Sequence, residues 1–295
     1  MPPILGSSFF KSKIMTTTKV YKNDAKKVFK ELGTCSRTFF HLLNREFDHT
    51  KDTEERAADP LAGGIMQKGQ QCGMLWGATL AAGSESYRRS NNMDQAIGLA
   101  IVTTQNLVRS FSNRTNTVNC LNITNCHLDT FFGMTKFMIK TTLKGMENST
   151  CFNLAEKWAP EAIESAKKGL ALQQTGLPKQ VLSCASEVVR KMGGSDEEMV
   201  AVAGFAGGLG LSGNACGALS AAIWKNSLAW SKIHPGKSTW SNRNAKSTLK
   251  VFNNETDSEM LCHKICQRRF ETQEDHTEFI KNGGCNKLIN VLASS

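Results

Sequence analysis

Aromatic residues make up only 7% of this 295-residue chain and it has only 6 prolines. The first scarcity argues against an aromatic-rich β-sandwich, and the second against a Pro-rich linker or fibre. No sustained apolar/polar alternation marks a strand. Residues 1–13 hold no apolar core of the roughly 7–15 residues that a secretory signal needs, so the chain is expected in the cytoplasm. From Met199 to Asn254 there is no Asp or Glu, while Lys225, Lys232, Lys237, Arg243, Lys246 and Lys250 are all present. The acid-free stretch removes the ribose-binding carboxylate that a dinucleotide site would need beyond Gly208-Leu-Gly-Leu-Ser-Gly213, so that GxGxxG match is set aside. Also absent are a finger or RNP signature for nucleic acid, a Cys-x-x-Cys-His for covalent haem, the tight cysteine spacing of ferredoxins, and a nucleophile triad. The uncharged run Met199 to Trp224 has bilayer length but carries six glycines, and reads as a buried pair of Gly-rich helices, with no membrane.

What is present points to a folded helical protein. Hydrophobic residues reach 40% and charged ones 21%, enough for a core. Net charge is +10, which suits an acidic partner, here a redox protein, steered by long-range charge. Ile97, Ala100, Ile101, Thr104, Leu107, Val108 and Phe111 fall on one helical face between Asn91 and Phe111, and Val181 to Met192 and Cys285 to Leu292 behave alike.

The organisation lies in an internal repeat. Ala62 to Ala78 and Ala206 to Ala222 agree at eight of seventeen positions without a gap, among them Gly63, Gly64, Gly69, Cys72 and Gly73 with partners 144 residues later. Ten cysteines follow the same scheme: Cys35, Cys72, Cys120 and Cys151 form one set, and Cys184, Cys216, Cys262 and Cys285 the other. Cys126 and Cys266 are left over. The expected fold is all-α: two homologous helical-bundle repeats, 23–172 and 173–295 after a polar leader 1–22, related by a pseudo-two-fold axis as in a fused homodimer. The boundary is expected near Leu172–Lys179. A pseudo-dimeric monomer and a homodimer are both compatible with this.

Four separated thiols converging in a helical domain suit an iron–sulfur centre; structural zinc takes the same donors, usually as closely spaced Cys pairs. Metal-free thiol–disulfide exchange is a further reading, which would make the chain an oxidoreductase with Cys262 and Cys266, or Cys120 and Cys126, as attacking and resolving thiols. A zinc-stabilised interaction module is another. Gly73 and Gly217, each following a cysteine, are expected to expose amide N–H groups to sulfur or cofactor. His127 and His263 adjoin cysteines and read as surface residues, with His263 the better nitrogen ligand if one is used.

The Cys216-Gly-Ala-Leu-Ser-Ala221 segment, with Gly-Gly upstream and single cysteines on either side, resembles the C_GCAxxG_C_C family of redox-active proteins. The likeness covers about 175–295 and, less closely, 23–172, and implies two fused copies. Related four-cysteine domains in split-Soret cytochromes imply a two-iron, two-sulfur cluster, with the two cysteine sets above as ligands. Ala221 replaces the last motif glycine in the second copy, and Met74 the alanine in the first.

Overall fold

The computed structural model describes residues 23–143, 145–172, 180–240 and 242–295; the leader 1–22 and positions 173–179 of the expected boundary lie outside the described residues. Among these the chain forms fifteen α-helices and no strand. In the first half they are α1 (Ala25–Leu32), α2 (Cys35–Glu46), α3 (Asp52–Arg56), α4 (Gly73–Arg89), α5 (Met93–Thr115), α6 (Cys120–Thr124), α7 (Phe131–Leu143) and α8 (Thr150–Leu170). In the second half come α9 (Cys184–Lys191), α10 (Asp196–Ala201), α11 (Gly217–Ile233), α12 (Arg243–Thr256), α13 (Cys262–Ile265), α14 (Gln273–Lys281) and α15 (Asn286–Ala293). The expected helix at 91–111 is α5, which begins where Asn92 Oδ1 accepts from Gln95 N (2.9 Å) and ends at Asn116, whose φ is 56°. Short polar side chains at a helix start and a left-handed residue at its end satisfy otherwise orphaned backbone groups.

Small residues set how closely the helices approach. A Cβ on Gly77 would lie 1.9 Å from Ser36 O, so α4 crosses α2 with backbones nearly touching. Gly83 does the same for α4 against the end of α10, where a Cβ would meet Val200 O and Ala201 O at 2.4 Å. Around these crossings Trp76, Trp158, Trp224, Phe39, Phe111 and Phe205 are fully buried. Each such side chain stabilises the fold by about 1.5–3 kcal/mol.

The principal core runs through both halves without a break. Its contacts are reciprocal: α4 packs on α10 and on the 3-10 turn Ala203–Phe205, while α11 packs on α3 and on the turn Asp59–Leu61. Corresponding elements thus exchange places across the interface, as a two-fold relation requires. Trp76 meets Phe205 edge-on at 4.8 Å, and Trp224 Nε1 donates to Glu54 O (3.3 Å) across the same junction. Gln71, fully buried, donates to Asn119 Oδ1 (2.9 Å) and accepts from Ala215 N of the other half (3.0 Å).

The halves are not identical. α5 has 23 residues, but its counterpart α12 has 14, because the chain spends 234–240 on an irregular segment instead. That segment is tied to the first half: Arg56 Nη1 donates to His234 O (3.2 Å) and Lys237 O (3.1 Å), and Ser238 Oγ donates to Asp59 (2.8 Å).

The uncharged run 199–224 is broken by a non-helical turn between α10 and α11. Among the described residues no helix is long and apolar enough to cross a membrane.

Candidate functional site: two cysteine clusters

The Gly-Gly segments form turns, although the run 199–224 was expected to be a pair of Gly-rich helices. Gly63, Gly64, Ile65, Met66 and Gln67 all have positive φ, as do Gly207, Gly208, Leu209, Gly210 and Leu211. Each run is a left-handed turn, a conformation that costs L-residues roughly 1–2 kcal/mol apiece. Glycines carry part of it; burial of Ile65 and Leu209, both fully enclosed, offsets the rest. The turn closes on itself through Gly69 N to Gly63 O (3.0 Å) and Gln70 N to Gly64 O (3.2 Å), matched by Gly213 N to Gly207 O (2.9 Å) and Asn214 N to Gly208 O (3.1 Å). A Cβ on Gly64 or Gly208 would strike this returning backbone at 2.4–2.5 Å.

That return delivers the second cysteine to the third. Cys72 N donates to Val118 O (2.8 Å) and Cys120 N to Gln70 O (2.6 Å); in the second half Cys216 N donates to Met260 O (2.8 Å) and Cys262 N to Asn214 O (2.6 Å). The isolated bridges Gln71–Asn119 and Ala215–Leu261 mark the same pairing.

Every cysteine of the two sets stands at or immediately before the first turn of a helix: Cys35 on α2, Cys72 before α4, Cys120 on α6, Cys151 on α8, then Cys184 on α9, Cys216 before α11, Cys262 on α13 and Cys285 before α15. Helix N-termini present free N–H groups and a positive dipole end, favourable to anionic sulfur. Amides of Gly63 and Ser36 hydrogen-bond Cys35, those of Gly207 and Ala185 reach Cys184, and those of Ala218 and Leu219 reach Cys216. Gly73 and Gly217 open α4 and α11, where they leave room. A Cβ on Gly73 would lie 2.6 Å from Cys35 Sγ, and one on Gly217 1.9 Å from Phe205 O.

All ten cysteines are free thiols, and the two set aside as extras belong to the clusters. Cys266 Sγ lies 3.4 Å from Cys285 Sγ and 3.9 Å from Cys262 Sγ. Cys126 is buried beside Cys120. In the second half Cys184, Cys216, Cys262, Cys266 and Cys285 line one cavity of about 10 Å³, closed by Ile265, Phe270 and Phe279. His276 lines it too, its Nδ1 held 3.1 Å from Leu182 O. His263, which sequence proximity favoured, instead turns its Nδ1 to Gly213 O (2.7 Å) and is not part of the lining.

Burial among apolar walls and other sulfurs dominates the electrostatics. It pushes Cys151 and Cys184 up to about 12 and raises Cys120 and Cys216 as well. For Cys262 the hydrogen bond with Cys266 pulls down, but burial and the neighbouring sulfurs outweigh it. Cys266 is raised first by its hydrogen bond with Cys262, and Cys285 by its hydrogen bond with Cys266. Cys35 alone is lowered, by the Cys72 thiol and the surrounding amides, while Cys72 rises in return. Desolvation disfavours a buried thiolate unless a positive charge compensates it.

Soft sulfur donors in a water-poor, amide-lined hollow are the donor chemistry of a thiolate-held metal centre. The Cys262–Cys266 separation approaches the edge of a tetrahedral thiolate site, about 3.8 Å for metal–sulfur bonds near 2.3 Å. Among the described residues, however, no three Cys, His, Asp or Glu side chains are arranged to hold one ion. The donor set therefore fits in kind but not in closure.

Comparison with curated proteins and with solved structures finds no match. A family model, described as "Putative redox-active protein (C_GCAxxG_C_C)", matches residues 34–164 and again 180–294, one copy for each cysteine cluster. The chain belongs to this family, as two fused copies.

Proposed function

We propose that the chain is an electron-transfer protein with an iron–sulfur centre in each half, held by Cys35, Cys72, Cys120 and Cys151 in the first and by Cys184, Cys216, Cys262 and Cys285 in the second. The observation that carries this reading is the gathering of eight sulfurs at helix N-termini in two clusters, where burial raises the Cys120, Cys151, Cys184 and Cys216 thiols. Thiol exchange needs a thiolate near ambient pH, which raised thiols supply poorly; a bound cation makes ligand thiolates favourable. Such a centre supplies one-electron chemistry when bound. The chain's own part is to exclude water with Ile265, Phe270 and Phe279 and to direct the Gly63 and Gly207 amides at sulfur. Ten free thiols fit a reducing compartment, in keeping with a cytoplasmic protein.

Anaerobic purification followed by an absorbance spectrum and iron, zinc and sulfide analysis tests this. Bands between about 320 and 600 nm, halved in Cys216→Ser and in Cys35→Ser, are expected. Unchanged absorbance in either variant refutes the ligand assignment, and a colourless zinc protein replaces the metal. The 3.4 Å approach of Cys266 to Cys285 favours one other reading, metal-free dithiol exchange. That reading gains if the protein is metal-free and mild oxidation joins this pair.

A further inference from the structure

Helix α7 has no buried residue, although it is anchored. A Cβ on Gly133 would lie 1.9 Å from His127 O, and Gly133 N donates to Thr130 Oγ1 (3.1 Å). Its inner face sets Met134 and Phe137 against Cys120, Cys126 and Leu128, so α7 covers the Cys120–Cys126 side of the first cysteine cluster. The reason it stays bare lies in the repeat. Its counterpart α14 buries Gln273, His276 and Thr277, and Gln273 Nε2 donates to Gly98 O (3.0 Å) in the first turns of α5. The equivalent turns for α7 would belong to α12, which is too short to supply them.

The outer face is apolar. Phe132, Ile139 and Leu143 follow one another at seven- and four-residue spacing, a single helical stripe, and are 84%, 53% and 81% exposed. Phe131 and Met138 stand exposed on one shoulder; Lys136 and Lys140 occupy the other. No carboxylate occurs from Thr130 to Met146. The flanking Asp129 and Glu147 are engaged by Lys68 (3.2 Å) and Lys30 (2.9 Å), whereas Lys136 and Lys140 form no ion pair among the described residues. An apolar helix face of this kind is recognised by an apolar groove, and the unpaired ammonium groups call for carboxylates at the groove's rim.

We infer that the outer face of α7 is a docking surface for an acidic protein partner, seated over the first cysteine cluster. That the partner is a redox protein rests on the proposed function; the docking does not.

The probe is an acidic plant-type [2Fe–2S] ferredoxin, fluorescently labelled and titrated with the full chain at low and high salt. Binding is expected at low salt. It should weaken about tenfold or more in F132S/I139S/L143S, in K136E/K140E, and in wild type at high salt. Because these side chains are exposed, both variants should keep the wild-type circular dichroism and melting temperature. No binding at low salt, or equal binding by wild type and both variants, overturns the proposal. So does a stripe that holds phosphatidylserine vesicles or a second copy of the chain in place of the ferredoxin. Visible absorbance of the same samples separates the two claims: docking lost with bands intact refutes the surface alone, and docking retained by a colourless protein refutes the iron–sulfur reading alone.

Discussion

Gly77 is the last glycine of the first motif copy and sits where α4 crosses α2, the helices that carry Cys72 and Cys35. In Gly77→Ala the new methyl would lie 1.9 Å from Ser36 O and 2.9 Å from Phe40 N, whereas non-bonded carbon contacts settle near about 3.5–4.0 Å. Both obstructing atoms are helical backbone, so no side chain can rotate away and the helices must part. Alanine gains about 1 kcal/mol over glycine in a helix, but forced separation of a packed core costs about 3 kcal/mol. The net expectation is a loss of about 2 kcal/mol, a fall in melting temperature of about 3 °C for a chain of this length. The counterpart in the second half is already Ala221, fully buried, so Ala221→Gly there should cost about 1 kcal/mol through propensity alone. Denaturant unfolding followed by far-UV circular dichroism measures both. A Gly77→Ala midpoint equal to or above wild type refutes the claim that backbone proximity, not flexibility, demands this glycine.

Burial depresses the folded-state pKa of His276 to about 4. Between that value and the unfolded histidine's, about 6.5, the unfolded chain binds more protons, so stability falls as pH drops from about 6.5 to 4, by about 3 kcal/mol in total. His276→Gln should flatten this part of the stability–pH curve; an unchanged curve counts against the assignment. Gln71→Leu leaves the buried Ala215 N–H without its acceptor and should cost about 1–3 kcal/mol in chemical denaturation; a change within about 0.5 kcal/mol, the range of ordinary surface substitutions, would show that the bridge between halves is dispensable. Arg56→Met removes the donors that hold His234 O and Lys237 O, so hydrogen exchange should accelerate around 234–240 while α4 and α11 keep their protection. Uniform acceleration would mean global destabilisation instead.

The duplication, the helical class and the membership of eight cysteines in two sets were legible in the residues, because identity at fixed spacing survives without knowledge of the fold. So was the helical face from Ile97 to Phe111, whose apolar period follows from the 3.6-residue turn. The Gly63-Gly64 and Gly207-Gly208 pairs were legible as repeated positions, and the run 199–224 as a pair of Gly-rich helices, but not as a turn. Their part in a left-handed turn depends on five successive positive φ values, three of them in the first half on Ile65, Met66 and Gln67, residues that seldom take this conformation. Cys126 and Cys266 looked surplus because they fall outside the four-cysteine pattern of each repeat, and only folding brings Cys266 within 3.4 Å of Cys285. His276 has no neighbouring cysteine in sequence, so nothing local could place it in the cavity ahead of His263.

What the amino-acid order determines by itself is local: periodicity, helix starts, and a repeat whose two copies specify the same turn. Tertiary structure alone decides how those copies meet. It merges their apolar faces into one core, gathers the sulfurs into two clusters, the second lining one cavity, where burial raises most of the thiols, and leaves α7 uncovered because the shortened α12 lacks the turns that would shield it. Long-range packing and desolvation depend on residues more than a hundred positions apart, and no window along the chain contains them.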